Sequence, residues 1–279
     1  MRVHICGVRG STPAPGADFL RYGGHTSCLA LARDGEEVPR LLLDAGTGVR
    51  TVGTLLGERA FEGTILLTHL HWDHLQGLPF FDAGDRDDAR AVLVIPDQEN
   101  GQSASAVLGR TMSPPMFPMM PQELRGSWSF ETIGPGESTI EGLDVLVREI
   151  PHKGGRTFGY RVTDGRATLA YMPDHCPTAL GPGPDGWGEY HPAALELAAG
   201  VDLLVHDAQI FPGELAQEAR FGHAVVDYAV ELGRRAGARH VLLFHHRPDR
   251  TDAALDALAD RLSEHADVSL AEQGTTIAL

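Results

Sequence analysis

Cysteine is scarce in this sequence, and its placement excludes two kinds of stabilising cross-link. The 279 residues contain three cysteines, Cys6, Cys28 and Cys176, which are odd in number and widely spaced. A disulfide framework needs paired cysteines, and a structural zinc site needs close thiolate pairs such as C-x-x-C. Since neither pattern is present, folding must depend on a hydrophobic core, which the 42% content of hydrophobic residues permits.

Long apolar runs are missing as well. Runs such as 241–244 are far shorter than the roughly 20 apolar residues that span a bilayer. The first residues hold no extended apolar segment of the signal-peptide type. The sequence therefore predicts a cytoplasmic protein with no membrane partner.

Positive charge is also low. The chain has 23 Lys and Arg against 38 Asp and Glu, which gives a formal net charge of −15. Proteins that bind nucleic acid polymers generally present a basic face, so a polymer of this kind is not the expected partner. A small anionic substrate remains compatible with the charge, because bound divalent cations dominate the field of a local site.

Strand-like and helix-like patterns alternate along the chain. Apolar, β-branched runs predict strands near 2–8, 28–33, 40–44, 63–68, 91–95, 143–150, 157–163, 167–172, 202–206, 240–245 and 275–279. Apolar spacings of three and four predict helices over 223–235 and 253–262, and either Thr251 or Asp252 caps the second. This alternation predicts an α/β layered fold, and we expect residues 1–279 to form one domain.

The segment 111–121 (TMSPPMFPMMP) breaks this pattern. It holds four prolines and four methionines, and proline at that density forbids a regular helix or a central strand. A solvated loop tip is the simplest interpretation. The methionine and phenylalanine content instead favours an insertion that packs over the functional site as a lid or pocket wall.

The densest group of chemically active side chains lies in residues 68–74 (THLHWDH), directly after an apolar run. Three imidazoles and one carboxylate within six residues are difficult to explain structurally, and both groups are ligands for zinc, manganese or iron. In an extended loop His69 and His71 point the same way and can hold one ion. Asp73 and His74 come from the turn beyond and can reach a second ion.

The H-x-H-x-D-H pattern of residues 69–74 resembles the signature of the metallo-β-lactamase superfamily. Four further segments resemble other motifs of the family, and together they cover nearly the whole chain. These segments are 41–48, 151–155, 171–174 and 243–246. The resemblance implies a four-layer αββα sandwich and a hydrolase with two divalent metal ions per chain, zinc in the first place, with manganese or iron as alternatives.

The resemblance also implies a ligand set. The first ion would be held by His69, His71, His152 and Asp174. The second would be held by Asp73, His74, Asp174 and His245. Asp174 would bridge both ions, and a hydroxide shared between them would be the nucleophile. Asp73 is expected to be a catalytic residue as well as a ligand. Because neighbouring strand residues point to opposite faces, only one of His245 and His246 can be a ligand, and motif alignment favours His245.

The segment 202–209, followed by Gly222-His223, resembles the branch that contains the tRNA 3′-end endonucleases (ribonuclease Z) and the phosphodiesterase of phosphonate utilisation. In that branch an acidic residue after a strand orients a histidine at a helix start, and the histidine acts on the leaving group. Asp207 and His223 are the matching pair here. The usual Ser-Thr after this histidine is replaced by Ala224-Val225, so a capping hydroxyl is lost.

Other features bear on the substrate. No Gly/Pro-rich basic arm of the kind that grips tRNA is visible, and segments 7–13 and 21–27 look like bacterial cyclic-nucleotide phosphodiesterase-like members. Four cations are candidates for contacting a phosphate, with surface or structural ion pairs as the alternative interpretation. They are Arg9, Arg21, Lys153 and Arg156. Trp72 is interpreted as a packing residue beneath the metal loop.

The function predicted from the sequence is a dinuclear phosphodiesterase for a small or cyclic-nucleotide-type substrate, with His223 as general acid. An acyl-bond hydrolase acting on a lactam, lactone or thioester is the alternative in another chemistry. A tRNA 3′-processing-type endonuclease remains open, as does a homodimer, which the branch often forms. A non-hydrolytic protein that uses the metal site only to hold a ligand is disfavoured, because such proteins tolerate missing ligands and this chain misses none.

Overall fold

Two β-sheets pack face to face in the computed structural model, which describes residues 1–99 and 101–279. In chain order the strands are β1 (Arg2–Gly7), β2 (Cys28–Ala32), β3 (Leu41–Leu43), β4 (Glu62–Leu66), β5 (Arg90–Pro96), β6 (Ser127–Ile133), β7 (Gly136–Ile140), β8 (Leu143–Glu149), β9 (Phe158–Thr163), β10 (Thr168–Met172), β11 (Leu203–Asp207), β12 (Val241–Phe244), β13 (Val268–Leu270) and β14 (Thr276–Ala278). The first sheet has the order β14-β1-β2-β3-β4-β5-β6, and the second has the order β13-β12-β11-β10-β9-β8-β7.

Helices cover the outer faces of both sheets. They are α1 (Val52–Leu56), α2 (Trp72–Leu75), α3 (Ala104–Leu108), α4 (Pro192–Ala198), α5 (Leu215–Glu218), α6 (Val226–Ala236) and α7 (Asp252–Arg261). Helix α3 packs on the first sheet, whereas α4, α6 and α7 pack on the second. The predicted four-layer αββα order is therefore confirmed. Within the described ranges, no helix is both long and apolar enough to cross a membrane.

The central strands are buried on both faces, which explains their continuous apolar sequences. In β2 every residue is buried: Leu29 and Leu31 belong to the core between the sheets, and Cys28 and Ala30 belong to the core under the outer helices. The same division occurs in the second sheet, where Tyr171 faces the inner core. Sheets whose outer faces are covered by helices are buried on both sides. Successive residues of a strand then point alternately to the core between the sheets and to the core under the helices.

Sequence patterns missed three of the four strands at the sheet edges, and predicted the fourth, β14. Strands β6, β7 and β13 were not predicted, and all three are outermost or carry exposed residues at alternate positions. Helix α6 begins at Val226, so His223 precedes the helix that was expected to start there. Helix α7 is capped as expected, since the Thr251 hydroxyl accepts a hydrogen bond from the Ala254 amide at 3.3 Å.

Parallel strands bring distant loops to one edge of the sandwich. Strands β3 to β6 run parallel to one another in the first sheet, as do β10 to β13 in the second. The loops after β3, β4, β10, β11 and β12 all leave from carboxyl ends of these strands. Such an edge is where open α/β sheets gather functional side chains.

One buried carboxylate connects the two sheets at this edge. Asp44 follows β3 and is fully buried. Its Oδ1 accepts hydrogen bonds from the amide of Thr68 at 2.7 Å and from the hydroxyl at 3.0 Å. The Tyr171 hydroxyl of β10, in the opposite sheet, donates to Oδ2 at 2.9 Å. Charged hydrogen bonds of this kind are stronger than neutral ones, so Asp44 is a strong link between the two sheets at this edge.

We predict that Tyr171→Phe lowers the free energy of unfolding by about 1–3 kcal/mol, because it removes a donor from a buried charged acceptor. The measurement is urea unfolding of both proteins in the presence of a metal chelator. Tyr190→Phe is the matched control, since the Tyr190 hydroxyl bonds Asp185 near the surface, and little change is expected there. Equal losses of unfolding free energy in the two variants would show that the Tyr171–Asp44 hydrogen bond stabilises the fold no more than a hydrogen bond near the surface does.

Candidate metal centre

The loop after β4 divides into an extended part and a helical part. His71 has φ −69° and ψ 151° and precedes α2, so it lies on extended backbone, and His69 comes before it in the same loop. Asp73 and His74 lie in the first turn of α2. The rings of His69 and His71 meet edge to face, with centroids 4.4 Å apart. The H-x-H-x-D-H motif therefore supplies His69 and His71 from the loop, and Asp73 and His74 from the helix.

The first group of possible ligands draws on three separate loops. One ligand atom each from His69, His71, His152 and Asp174 lies within 4.8 Å of the others. His152 Nε2 is 3.3 Å from His71 Nδ1 and 3.3 Å from Asp174 Oδ2. His69 Nε2 is 3.6 Å from the same carboxylate oxygen. Three imidazole nitrogens and one carboxylate oxygen converge as a divalent cation requires.

The second group stands on the other side of the Asp174 carboxylate. Asp73, His74 and His245 bring one ligand atom each within the same 4.8 Å. Asp174 Oδ1 lies 3.0 Å from His74 Nε2 and 3.0 Å from His245 Nε2. Asp73 Oδ2 is 3.1 Å from His245 Nε2. Asp174 therefore directs one oxygen at each group, which is the position of a bridging carboxylate.

The chemistry of these groups fits metal ions better than it fits a hydrogen-bond network. His69 Nε2 and Asp174 Oδ1 are buried without a hydrogen bond of acceptable geometry to any described residue. Buried polar atoms are normally satisfied, so orphaned ones at the centre of a cluster call for a ligand. His74 Nε2 and His245 Nε2 face each other at 3.3 Å. Two facing imidazole nitrogens beside a carboxylate suit zinc, manganese or iron.

The charge states of the first group support this interpretation. Burial lowers the pKa of His69 well below its usual value, and it also lowers the pKa of His71 and His152. Burial opposes ionisation of Asp174, but the surrounding imidazoles, His245 first, hold its pKa well below its usual value. Neutral imidazoles and ionised carboxylates are the protonation states in which these side chains bind metals.

A layer of hydrogen bonds behind the cluster orients the imidazoles. His74 Nδ1 lies 2.8 Å from Asp44 Oδ2, and His152 Nδ1 lies 2.8 Å from the Gly222 carbonyl. The Ser11 amide donates to Asp73 Oδ2 at 2.6 Å. When Nδ1 donates to an oxygen, the Nε2 lone pair is left to face a metal.

Two glycines permit the close approach of the loops. A side chain at Gly10 would place its Cβ 2.4 Å from the His245 ring, and one at Gly154 would lie 2.9 Å from His71 Nε2. Gly154 also has a φ of +90°, which disfavours other residues. The segments around residues 10 and 154 can therefore pack directly on ligand-type imidazoles.

The structure separates the adjacent pair at the end of β12. His245 points into the second group, whereas His246 points away, with Nε2 3.0 Å from the Ala271 carbonyl. Burial lowers the pKa of His246 to about 3. The opposite directions expected of neighbouring residues are observed, and the preferred residue of the pair is the one brought to the cluster.

Asp207 and His223 meet beside the cluster. His223 Nδ1 lies 2.9 Å from Asp207 Oδ2, and the His223 ring centroid lies 5.0 Å from that of His245. Burial opposes the charged imidazole, but the Asp207 carboxylate outweighs it and raises the pKa of His223 to about 9. Asp207 is itself held by the backbone amides of His175 and Gln209. His223 can therefore carry a proton at the edge of the metal centre.

Arg9 and Arg21, two of the cations predicted to contact a phosphate, do not lie at the ligand cluster. Arg9 is fully buried and its guanidinium donates to the carbonyls of Gly23 and Arg250, so it ties loops together. Arg21 is exposed and pairs with Asp256. The structure brings neither guanidinium to the cluster, because internal acceptors take both.

Lys153 and Arg156 lie nearer to the ligand cluster, but their side chains are also bound to other groups of the protein. The Lys153 amine donates to the Arg220 carbonyl at 2.9 Å. Arg156 borders the cavity at the centre, but its guanidinium pairs with Glu149 at 2.7 Å. The packing role given to Trp72 is wrong, since its side chain is 66% exposed.

Arg110 is a cation that the sequence analysis missed. A cavity of about 230 Å³ opens beside His69 and His71, and Arg110 lines it at the end of α3 together with Thr111 and Gly155. Arg110 donates to Gln102 and forms no ion pair with any residue that the structure describes. No motif surrounds it, so only the folded chain reveals its position.

We predict that Asp44→Asn weakens metal binding at the second group about 10- to 100-fold, because His74 loses the anionic partner that orients its ring. Asparagine tolerates the left-handed backbone at this position, where φ is +63°. Competition with a fluorescent chelator measures the affinity. Asp88→Asn, on an exposed surface pair with Arg86, is the control. Unchanged affinity in Asp44→Asn would mean that the hydrogen bond does not act on the metal.

Comparison with curated proteins finds ribonuclease Z enzymes. The ribonuclease Z of Geobacillus kaustophilus is 27% identical over 284 residues, covering 88% of this chain and 91% of the relative. That of Natronomonas pharaonis is 23% identical over 290 residues, covering 88% of this chain and 86% of the relative. These relatives weigh somewhat against the expectation that a nucleic acid polymer is an unlikely partner.

Comparison with solved structures shows the fold. The metallo-β-lactamase fold protein YhfI from Bacillus subtilis has a TM-score of 0.72 at 16% identity, covering 99% of both chains. A diphosphatase from the PhnP family has a TM-score of 0.68 at 17% identity, covering 100% of this chain and 97% of the other. Zn²⁺-bound PqqB from Methylobacterium extorquens has a TM-score of 0.67 at 19% identity, covering 100% of both.

The family itself is shown by a model described as the beta-lactamase superfamily domain, which matches residues 39–246. The matched range runs from the approach to β3 through His246, so it contains the ligand-type residues of both groups. The resemblance found in the motifs is confirmed: this chain belongs to the beta-lactamase superfamily, as a metal-dependent hydrolase with ribonuclease Z among its relatives.

Proposed function

We propose that this protein is a dinuclear metal-dependent phosphodiesterase for small anionic substrates, with His223 as the general acid. The observation that carries the proposal is the 2.9 Å pairing of His223 with Asp207 at the edge of the ligand cluster. A metal centre alone serves many hydrolytic reactions. A proton donor with a raised pKa beside it suits a reaction that expels a strongly basic alkoxide.

Seven residues are proposed to hold two ions, with Asp174 shared between them. They are His69, His71, Asp73, His74, His152, Asp174 and His245. A bound pair would polarise a phosphoryl oxygen and lower the pKa of a water. Nitrogen and oxygen ligands without thiolate suit zinc, and they also suit manganese and iron.

The dyad defines where the leaving group must sit. Because Nδ1 of His223 is taken by Asp207, Nε2 is the ring atom that can donate a proton to a substrate oxygen. The Asp207 carboxylate keeps the imidazole protonated and fixes its plane. Lactam, lactone and thioester hydrolysis do not call for such a dyad, which is why phosphodiester cleavage is the better match.

The size of the substrate is the second question. A cavity of about 230 Å³ adjoins the first ligand group, and the net charge of −15 repels a long polyanion. These observations favour a small or cyclic phosphodiester. A tRNA 3′-processing activity is the second candidate. The observation in its favour is the match to ribonuclease Z enzymes, which spans 91% of the Geobacillus kaustophilus relative.

We expect His223→Ala to lower kcat/KM about 10²- to 10⁴-fold for a phosphodiester with an alkoxide leaving group. The loss for a p-nitrophenyl ester is expected to be much smaller, because nitrophenolate leaves without a proton. Steady-state kinetics on methyl and p-nitrophenyl esters measure the difference, with metal content determined in parallel.

The matched control is His240→Ala, which removes an imidazole at the opposite end of β12. Full activity of His223→Ala on the methyl ester, at unchanged metal content, contradicts the acid role. Turnover of lactones or thioesters but not of phosphodiesters would favour the acyl-bond alternative, and faster cleavage of a tRNA precursor would favour the endonuclease.

The pH dependence of turnover follows from the direction in which the pKa of His223 is shifted. A protonated His223 is the active form, so turnover of the alkyl ester should fall as the pH rises through its pKa, about 9 without bound cations. Asp207→Asn removes the negative charge that raises this pKa, so the alkaline limb should move to lower pH. Asp202→Asn, just before the same strand, is the control. If the alkaline limb of the pH profile does not move in Asp207→Asn, that limb does not report the ionisation of His223.

A further inference from the structure

A second cavity opens next to the metal centre, and it is lined by aromatic and methionine side chains. Its volume is about 310 Å³, within the range of small-molecule sites. Its walls include Trp72, Phe80, Met112, Met116 and Phe117. Three of these belong to the segment 111–121, which is irregular as expected and forms a wall here.

This apolar cavity adjoins the metal-side cavity, the one that opens beside His69 and His71. Leu75, Leu108 and Thr111 line both, so the two spaces are neighbours along a shared wall. Apart from the indole N–H of Trp72, the polar side chains that line the apolar cavity among the described residues are Gln76 and Thr111, and none of the described lining residues is charged. The metal-side cavity, in contrast, holds the imidazoles and Arg110. The two spaces therefore suit an anionic group joined to a neutral, apolar one.

Trp72 is the most informative wall residue. It stands between His71 and Asp73 at the first position of α2, yet its side chain is 66% exposed. Among the described residues no other ring contacts the indole within stacking distance. An exposed tryptophan adds little to the core, whereas an uncovered indole face next to a reaction centre can accept a flat ring.

The opposite wall is positioned by packing. Phe117 of the 111–121 segment meets Phe80 edge to face, with ring centroids 6.0 Å apart. Met112 is buried below, while Met116 is 76% exposed at the mouth. Methionine adapts its shape and makes favourable contacts with aromatic rings. The wall is thus fixed at one end and adaptable at the other.

We propose that this apolar cavity binds a flat aromatic ring of the substrate, a nucleobase, stacked on Trp72 while the phosphodiester lies at the metal centre. The inference rests on the proposed function and specifies its substrate class as nucleotide-derived. Stacking on an aromatic side chain is tolerant of the base, because every base has a π-face. Trp72 is then a determinant of specificity and takes no part in proton transfer.

The kinetic test compares two substrates that differ only in the base: the methyl ester of deoxyadenosine 5′-phosphate and the same ester lacking adenine. Trp72→Ala should raise KM for the adenine ester about tenfold and leave the abasic ester unchanged. Trp72→Phe should retain most of the affinity. Leu20→Ala, an exposed apolar residue away from both cavities, is the control for the loss of surface apolar area.

Met116→Ala provides a second variant that lies outside the metal loop. It should raise KM in the same base-dependent way, though less than Trp72→Ala. Equal changes for the two esters in both variants would overturn the proposal.

Fluorescence tests binding without turnover. Deoxyadenosine 5′-monophosphate should quench the emission of wild type, and Trp72→Phe should lose that quenching although Trp128 and Trp187 remain. Ribose 5-phosphate should quench neither. Base-dependent quenching without phosphodiester turnover keeps the apolar subsite and removes the proposed function. Turnover that is insensitive to the base, with no quenching, keeps the function and removes the subsite.

Discussion

The Asp44 carboxylate is the contact on which both the sandwich and the metal centre depend. It accepts hydrogen bonds from Thr68 after β4, from Tyr171 in the opposite sheet and from His74 in the ligand cluster. A buried anion is costly unless its oxygens are satisfied. The arrangement that satisfies Asp44 is also the one that ties the two sheets together at this edge and turns His74 toward the second ligand group. Fold and site are therefore stabilised by the same charge.

Three residues near this edge share an uncommon backbone. Ser11, Asp44 and His245 have φ values of 64°, 63° and 62°, in the left-handed region that side chains disfavour. Such conformations persist when surrounding contacts determine them, and they concentrate at functional sites. Here each one accompanies a link to the cluster: the Ser11 amide bonds Asp73, Asp44 bonds His74, and His245 faces Asp174. The backbone is bent where direct contact with the centre requires it.

The sequence predicted the layers and the contiguous motif because both depend on local patterns. Buried strands have apolar runs, and residues 69–74 carry four ligand-type groups in one loop. His152, Asp174 and His245 lie far along the chain, so family resemblance was needed to associate them with that loop. Periodicity could not show that Trp72 points outward or that Arg9 is consumed by carbonyls, because tertiary neighbours decide exposure and pairing. Arg110 was invisible for the same reason, since only the packing of α3 brings it beside His71.

The ligand groups also differ in how much of the chain they require. The first group is complete once residue 174 has been made, whereas the second needs His245, which follows β12 near the end of the chain. The ligand-type side chains of the first group therefore all precede β11 and β12 in the chain, although the Gly222 carbonyl that orients His152 comes after β11. The second group forms only when β12 has placed His245 beside Asp73 and His74. In the proposed two-ion centre, binding of the second ion would therefore require β12 to be in place, and metal content would report that the fold is complete.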